Sequence, residues 1–168
     1  MSRDEVDVHR LEDEELATVI EALAGRPAPT HRRRAELQAR GNFVYLVAWI
    51  EGRPVGHVGV GLNDHRQVED VCEWRGYALV SDLAVDPHVR RRGVGRALME
   101  KLEHEARGAG MSGVGLDTGT GEEFAAAREL YRSMGYRDQC AVFLGGWSDP
   151  AAPGVHFVDP MTQWFKDF

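Results

Sequence analysis

Hydrophobic residues three or four positions apart predict an amphipathic helix over residues 12–24, which Gly25 would end. The spaced residues are Leu16, Val19, Ile20 and Leu23. A polar and basic stretch predicts a second helix over residues 31–40. The arginine run from Arg32 to Arg34 in this helix is expected to form a solvated face. The N-terminal part of the chain is therefore predicted to be helical.

The rest of the chain contains apolar runs rich in β-branched and aromatic residues, which predict strands. These runs cover residues 43–50, 55–62, 77–86, 112–117, 136–144 and 162–168. Helical spacing returns at residues 94–107 and 122–134, and glycine follows each of these segments. The polar segment at residues 63–76 is predicted to be a loop that can include a short strand. Residues 145–160 are predicted to be a loop because they are rich in glycine and proline.

The order of these elements predicts the architecture. Two helices and an antiparallel strand pair are followed by strand, helix, strand, helix, strand and strand. A strand–helix–strand unit of this kind occurs in mixed folds, where it joins two parallel strands. We therefore expect an α/β (α+β) fold with a mixed, mostly antiparallel twisted sheet of six to seven strands, a central βαβ unit and helices on both faces. A single domain is expected over residues 1–168.

Charge and composition narrow the function classes. With 20 basic and 27 acidic residues, the chain carries a formal net charge of −7, which argues against non-specific nucleic-acid binding. No apolar stretch approaches the roughly 20 residues of a membrane span, and the N-terminal residues lack the apolar core of a secretory signal. We therefore expect a cytoplasmic protein without membrane contact. The two cysteines, Cys72 and Cys140, lack metal-ligand spacing, so reduced thiols and no metal are expected.

Glycines and arginines lie together where the predicted strand at residues 77–86 gives way to a helix. The segment from Arg90 to Gly95 reads Arg-Arg-Arg-Gly-Val-Gly and follows Pro87. The first N–H groups of a helix have no internal partner and lie at the positive end of its dipole. Glycine allows an anion to approach the backbone, and arginine adds charge-assisted hydrogen bonds. The segment therefore predicts a binding site for a diphosphate.

Two other phosphate motifs do not fit this segment. A P-loop needs Gly-Lys-Ser or Gly-Lys-Thr, which the chain lacks. A dinucleotide fingerprint needs a third glycine where the chain has Leu98. ATP and NAD are therefore disfavoured as ligands. The alternative to a diphosphate site is a plain glycine-rich turn with surface arginines.

The segment resembles the phosphate motif of the GCN5-related N-acetyltransferase (GNAT) superfamily, Arg/Gln-x-x-Gly-x-Gly/Ala, which Arg90, Gly93 and Gly95 match. The resemblance implies that acetyl-CoA binds here, with the backbone amides between Arg91 and Ala97 around the pyrophosphate. Many family members have glycine at the position of Arg91. The preceding strand residues would pair with the pantetheine arm. The implied cofactor-binding residues are Leu83, Ala84, Val85, Arg90, Arg91, Arg92, Gly93, Val94, Gly95, Arg96 and Ala97.

A second segment resembles another motif of the same superfamily, roughly Asn-x-x-Ala-x-x-Leu-Tyr-x-x-x-Gly-Phe. The matching residues are Ala127, Leu130, Tyr131 and Gly135. Tyr136 replaces the usual phenylalanine, and Phe124 stands where the motif has asparagine. The resemblance implies that Tyr131 lies beside the sulfur of CoA, where a phenol with a pKa of about 10 can protonate the leaving thiolate. The alternative is that Tyr131 only packs in the buried face of its helix.

An attacking alkylamine is mostly protonated at neutral pH, so its reaction needs a proton acceptor. Asp82 is the first candidate, because it precedes Leu83 on the strand expected to line the acyl site and because aspartate is uncommon inside strands. Glu73, Glu69 and His57 are further candidates. The alternative for Asp82 is a solvent-facing or hydrogen-bonded structural aspartate.

The resemblance places the acceptor near residues 13–40, 63–76 and 145–160. The last two segments contain acidic residues and the tryptophans Trp74 and Trp147, which would suit a cationic amine. The alternative, with at least equal weight, is a solvated acidic surface. A primary amine of a small molecule is the first expectation, and a protein N-terminus or lysine the second. A catalytically silent acyl-CoA-binding module is the alternative from another class. Dimers are common in the superfamily, and the last predicted strand would exchange or pair between two copies.

Overall fold

A computed structural model describes residues 5–62, 76–148 and 156–168 of the chain. Seven strands lie in these residues and form one sheet. They are β1 Asp7–Arg10, β2 Phe43–Ile50, β3 Arg53–Gly61, β4 Tyr77–Val85, β5 Gly113–Gly119, β6 Arg137–Ser148 and β7 His156–Asp167. Their order across the sheet is β1-β2-β3-β4-β5-β7-β6. β4 and β5 run parallel and the other neighbours antiparallel, so the predicted mixed sheet is confirmed.

Four helices lie in the described residues, close to the predicted positions. They are α1 Leu16–Ala22, α2 Ala28–Ala39, α3 Val94–Gly108 and α4 Ala125–Ser133. α1 begins at Leu16 instead of residue 12, after a 3-10 turn at Asp13–Glu15, and α2 begins at Ala28 instead of residue 31. Pro29 is therefore inside the first turn of the helix. Proline is tolerated there because the N–H group that it lacks would have no partner within the helix.

The strand β2 explains why helices cover both faces of the sheet, because its side chains are apolar on both sides. On one face they pack with residues of α1 and its C-terminal end, and on the other with α3. The first face contains Tyr45, Val47 and Trp49 with Val19 and Leu23. The second face contains Val44, Leu46, Ala48 and Ile50 with Leu98, Met99 and Leu102. The predicted arrangement of helices on both faces is confirmed.

The two parallel strands pair over only part of their length. Their ladder joins Tyr77–Leu79 with Gly113–Gly115. Further along, β4 pairs only with β3, and β5 pairs only with β7. The facing edges of β4 from residue 80 and of β5 from residue 116 therefore lie outside any ladder. We call the space between these edges the strand gap.

The C-terminal hairpin corrects one prediction. The predicted loop at residues 145–160 is wrong for its two ends, because β6 extends to Ser148 and β7 begins at His156. Gly145 pairs with Asp159 in the ladder, and a Cβ atom at Gly145 would lie 2.1 Å from the sulfur of Met161. Glycine here therefore makes room for a neighbouring side chain and does not mark a turn.

Two further predictions differ from the structure or lie outside it. The four-residue strand β1 is not predicted, because Val8 is its one apolar residue and its pairing with β2 defines it. The predicted loop at residues 63–76 falls outside the described residues except for Gly76.

Candidate functional site

The predicted diphosphate segment lies at the junction of β4 and α3. A short 3-10 turn, Pro87–Val89, follows the strand, and α3 begins at Val94. Gly93 has φ +88°, a left-handed conformation that glycine adopts without steric cost. Arg91 has φ +65°, a left-handed conformation that is uncommon for residues other than glycine. We call residues 90–96 the arginine turn.

The backbone of the arginine turn leaves donors for an anion. The N–H group of Ala97 donates to the carbonyl oxygen of Gly93 at 2.9 Å and closes the first turn of α3. The preceding N–H groups, from Val94 to Arg96, have no acceptor within the helix. The predicted contact through the amide of Ala97 is thus used inside the helix, and the three preceding amides are better placed to bind a phosphate.

Positive charge surrounds these donors. The side chains of Arg90, Arg91, Arg92 and Arg96 are exposed. Arg90 donates through Nε to the carbonyl oxygen of Val85 at 3.4 Å, and Arg96 donates to Oγ of Ser133 at 2.8 Å. Together with the positive end of the α3 dipole, these guanidinium groups favour a polyanionic ligand.

The strand gap begins beside the arginine turn. The predicted residues Leu83, Ala84 and Val85 are partly buried on the part of β4 that lines this gap. Ala84 and Val85 pair with His57 and Gly56 of β3, so the other edge of their backbone faces the gap. An extended ligand that carries amide groups can hydrogen-bond to such an edge.

Tyr131 of α4 lies deep in the protein, with 5% of its surface exposed. Its ring packs against the rings of Tyr136 and Trp164, with centroids 5.9 and 6.3 Å apart. Burial raises the pKa of Tyr131 to about 12, so the phenol stays protonated at neutral pH. The adjacent Leu130 packs against the first turn of α3, since a Cβ atom at Gly95 would lie 3.3 Å from its Cδ2. The helix that carries Tyr131 therefore contacts the arginine turn.

Asp82 lies at a bulge in β4. His57 pairs with Ala84 and Gly59 with Ser81, so one residue of β3 lies opposite two residues of β4. Asp82 itself has φ +55°, which is unusual for a residue other than glycine. The bulge turns the carboxylate away from the regular pattern of the strand.

Two arginines from the helical layer bind this carboxylate. Arg26 reaches its two oxygens at 2.9 Å from Nε and 2.7 Å from Nη2, and Arg34 donates from Nη2 at 2.5 Å. Burial by itself would raise the pKa of Asp82. The hydrogen bonds from Arg26 and the charge of Arg34 outweigh that effect and hold the pKa well below its usual range. Both partners oppose proton uptake by Asp82, so its predicted role as the base stays a prediction that kinetics must test.

The other proposed bases differ in their positions. His57 has 2% of its surface exposed, and burial lowers its pKa to about 3. Its Nδ1 accepts a hydrogen bond of 3.2 Å from Nη1 of Arg34, so the ring proton is on Nε2. A neutral imidazole with this pKa is a weak proton acceptor at neutral pH. Glu69 and Glu73 lie outside the described residues.

Sequence reasoning missed the polar cluster to which Asp82 belongs. Arg34, expected in a solvated face, has 7% of its surface exposed, whereas Arg32 and Arg33 are exposed. The only sequence signal is that His31 and Arg34 are three positions apart, on one face of α2. The polar cluster consists of Arg26, His31, Arg34, Tyr45, His57 and Asp82.

Two absences can be stated for the part of the chain that the structure describes. There, no three histidine, cysteine, aspartate or glutamate side chains are grouped so that they could hold a metal ion. In the same residues no helix is both long and apolar enough to cross a membrane.

The chain is similar to known sequences of one family. Over residues 8–136 the chain matches the sequence pattern of the Acetyltransferase (GNAT) family. An IAA acetyltransferase of Azospirillum brasilense is 33% identical over 101 residues, which cover 60% of this chain and 59% of the relative. N-acetyltransferase 8 of Homo sapiens is 34% identical over 126 residues, which cover 74% of this chain and 52% of the relative. A third curated relative is matched as well. The chain spans 46% to 59% of the length of these three relatives.

Solved structures share the fold. A ribosomal-protein-alanine N-acetyltransferase from Brucella melitensis superposes with a TM-score of 0.73 at 19% identity, covering 96% of this chain and 99% of that chain. The yncA protein of Salmonella typhimurium, solved with its cofactor acetyl-CoA, superposes with a TM-score of 0.71 at 20% identity, covering 97% of this chain and 94% of that chain. At these identities the similarity demonstrates a common architecture.

Proposed function

The chain belongs to the acetyltransferase (GNAT) family, and we propose that it transfers an acetyl group from acetyl-CoA to a primary amine of a small molecule. One spatial relation carries this proposal. The arginine turn lies at one end of the strand gap, and α4, which carries Tyr131, packs against the first turn of α3. The arginine turn, the open backbone edge and the helix that carries the Tyr131 phenol are therefore neighbours in the fold.

The residues of this region fit the parts of acetyl-CoA. The amides from Val94 to Arg96 and the exposed arginines around them would hold the pyrophosphate. The open edge of β4 at Leu83–Val85 would pair with the amide groups of the pantetheine arm. Phosphates need cationic donors, and the amides of pantetheine need an extended edge, so the order of these features along the fold supports acetyl-CoA as the acyl donor.

The transfer is a substitution at the thioester carbon. The amine nitrogen attacks the carbonyl carbon, the C–S bond breaks, and the sulfur keeps the electron pair as a thiolate. We propose that the Tyr131 hydroxyl gives its proton to this sulfur and regains one from solvent. Burial raises the pKa of a thiol as it does that of a phenol, so both groups in a shared apolar site shift in the same direction.

The amine must lose a proton in the same reaction. Asp82 is the acceptor that the sequence predicts, and the variant Asp82→Asn tests this role. If Asp82 takes the proton, the acidic limb of the pH–rate profile moves or disappears and the rate falls. An unchanged acidic limb with a near-normal rate would exclude this role.

A protein N-terminus or lysine is the second acceptor class. The Brucella melitensis neighbour is named for the alanine of a ribosomal protein, which makes peptides with free N-termini a necessary part of an acceptor screen. A catalytically silent acyl-CoA-binding module is the third possibility. It is favoured by Phe124, which stands in place of the asparagine of the motif and packs on Gly119, where a Cβ atom would lie 2.3 Å from the ring.

A screen with acetyl-CoA and a panel of amines distinguishes these functions. The panel combines small primary amines, lysine peptides and peptides with free N-termini, and the readout is the thiol released. Thiol release with small amines supports the proposal, and release with peptides alone replaces it by the second class. Acetyl-CoA binding without release on any amine indicates the silent module.

For the assembly, we propose that two copies pair through the hairpin of β6 and β7. Because β7 is hydrogen-bonded on both sides, by β5 and β6, the edge at this end of the sheet belongs to β6, and β1 forms the opposite edge. Val142 and Leu144 of β6 and Val158 of β7 are exposed. Light scattering should give twice the mass of the chain, and Leu144→Lys should halve it. A wild-type mass of one chain would rule out this pairing.

A further inference from the structure

The bulge in β4 places an unfavourable backbone conformation beside the strand gap. Asp82 has φ +55°, where residues other than glycine are uncommon. Such a conformation persists when the surroundings hold it in place. The bulge lies between Leu79, the last residue of β4 that pairs with β5, and Leu83, the first residue of the predicted pantetheine edge. Its geometry therefore determines how that edge faces the gap.

Arg26 and Arg34 hold the bulge from the helical layer. Arg26 lies in the linker between α1 and α2, and Arg34 lies within α2. Three hydrogen bonds of 2.9 Å or less join them to the two carboxylate oxygens of Asp82. A bidentate pair of this kind fixes orientation as well as distance.

Arg34 is itself fixed by its neighbours. Its Nη1 donates to Nδ1 of His57 at 3.2 Å, and its guanidinium lies 5.5 Å from the centre of the Tyr45 ring. His31 donates from Nε2 to the carbonyl oxygen of Leu23 at 3.2 Å, so its Nδ1 accepts the hydroxyl proton of Tyr45 at 2.6 Å. Two hydrogen-bonded groups, one at the end of α1 and one at the bulge, thus meet where the Arg34 guanidinium lies over the Tyr45 ring.

We propose that Arg26 and Arg34 are positioning residues for acetyl transfer. They act through Asp82, whose carboxylate they hold so that the β4 bulge keeps its left-handed turn and presents the edge at Leu83 to the thioester. The inference rests on the proposed transferase function. It gives Asp82 a positioning role that depends on its charge, as the alternative to the proton uptake predicted from the sequence.

The kinetic test compares Arg34→Gln, Asp82→Asn and the double variant with Arg33→Gln, an exposed neighbour on the same helix. We expect kcat to fall by about tenfold or more in each single variant while KM for acetyl-CoA changes little. Residues that act through one interaction give non-additive losses, so the double variant should be no slower than the slower single one. Arg33→Gln should retain normal kcat. A normal kcat in Arg34→Gln, or losses that multiply in the double variant, would overturn the proposal.

Asp82→Gly and Asp82→Ala separate positioning from proton transfer. Both lack the carboxylate, but glycine adopts a φ of +55° without strain and alanine does not. Positioning predicts several-fold higher kcat for Asp82→Gly than for Asp82→Ala, and an acidic limb of the pH–rate profile that both variants retain. Equal rates together with a lost acidic limb would assign Asp82 as the base and contradict the proposal.

Amide hydrogen exchange needs no amine acceptor, so it tests the role of the arginines even if the proposed transferase function is wrong. Amide hydrogen exchange at residues 82–84 should speed up by about tenfold or more in Arg34→Gln and not in Arg33→Gln. If Arg34→Gln does not fold, as judged by its melting curve, Arg26→Gln replaces it, because Arg26 is more exposed. Unchanged exchange in a folded variant would show that the arginines do not hold the bulge. Absence of thiol release by the wild-type protein would refute the proposed function alone.

Discussion

The arginine turn and the polar cluster flank the same strand but arise in different ways. The turn is built from consecutive residues, and its donors are backbone N–H groups with exposed guanidinium groups around them. The cluster draws its side chains from the α1–α2 linker, α2, β2, β3 and β4, and most of them are buried. A site made by one segment can therefore be recognised in the sequence, whereas a site made by five segments needs the fold.

The largest effect we expect is the loss of kcat when Tyr131, on the helix next to the arginine turn, is changed. Tyr131→Phe removes the proposed proton donor and should lower kcat by about 100-fold or more, with little change in the Kd for acetyl-CoA. Tyr77→Phe is the matched control, because Tyr77 donates its hydroxyl proton to Asp167 elsewhere on the sheet. Steady-state kinetics and calorimetry provide the two readouts. A variant as fast as the wild type would leave Tyr131 with a packing role only.

The polar cluster should make stability depend on pH. Burial lowers the pKa of His57 from 6.5 to about 3, so between these values the unfolded chain binds a proton that the folded chain does not. The contribution of neutral His57 to the free energy of unfolding is therefore fully present above its pKa in the unfolded chain, and it decreases as the pH is lowered through that pKa. By pH 5 the free energy of unfolding has decreased by about 2 kcal/mol because of this residue.

Denaturant unfolding at several pH values measures this loss. His57→Gln should flatten the dependence between pH 7 and 5, while His104→Gln, at an exposed position in α3, should keep it. An equal slope in the wild type and in His57→Gln would show that His57 is not held neutral by its surroundings.

The affinity of the arginine turn for acetyl-CoA should depend on the backbone conformation of its glycine. Gly93 has φ +88°, and a Cβ atom added there would have no other atom within 4 Å, so Gly93→Ala adds conformational strain without a clash. We expect the Kd for acetyl-CoA to rise by about tenfold, since a left-handed conformation costs roughly 1–2 kcal/mol for alanine. Gly108→Ala, which has neither a positive φ nor a nearby atom, should bind normally. An unchanged Kd in Gly93→Ala would mean that the ligand does not depend on this turn.

The smallest effect we expect is a difference in salt dependence between the arginine turn and the polar cluster. Ions screen exposed charges far more than buried pairs. Between low salt and about 0.5 M salt, the affinity for acetyl-CoA should fall several-fold, because the arginines of the turn are exposed. The destabilisation caused by Arg34→Gln should stay nearly constant over the same range. The reverse pattern would contradict the distinction between the regions.

The sequence predicted the elements whose signals are local. The helical spacing of Leu98 and Leu102 and the continuous apolar run of β2 indicate packing that the structure contains. The glycines of the arginine turn mark a change of backbone direction, and Gly93 has the conformation that requires glycine. These signals depend on near neighbours in the chain, so one sequence suffices to detect them.

The remaining features depend on contacts between distant segments. Arg34 follows two exposed arginines, and only the approach of Asp82, 48 positions later, explains its burial. Gly145 resembles a turn residue until Met161 packs against it from the neighbouring strand. The short strand β1 is defined by β2. In each case the partner in space determines the structure, and local propensity does not.

The most direct test of the central claim is the balance of products from acetyl-CoA and an amine. Mass spectrometry of the amine and a thiol assay are run on the same reaction, with wild type and Tyr131→Phe. Acetyl transfer predicts one acetylated amine for each free CoA thiol formed, and a much lower rate for both products in the variant. Thiol release without acetylated amine, or no release with any member of the panel, would contradict the account.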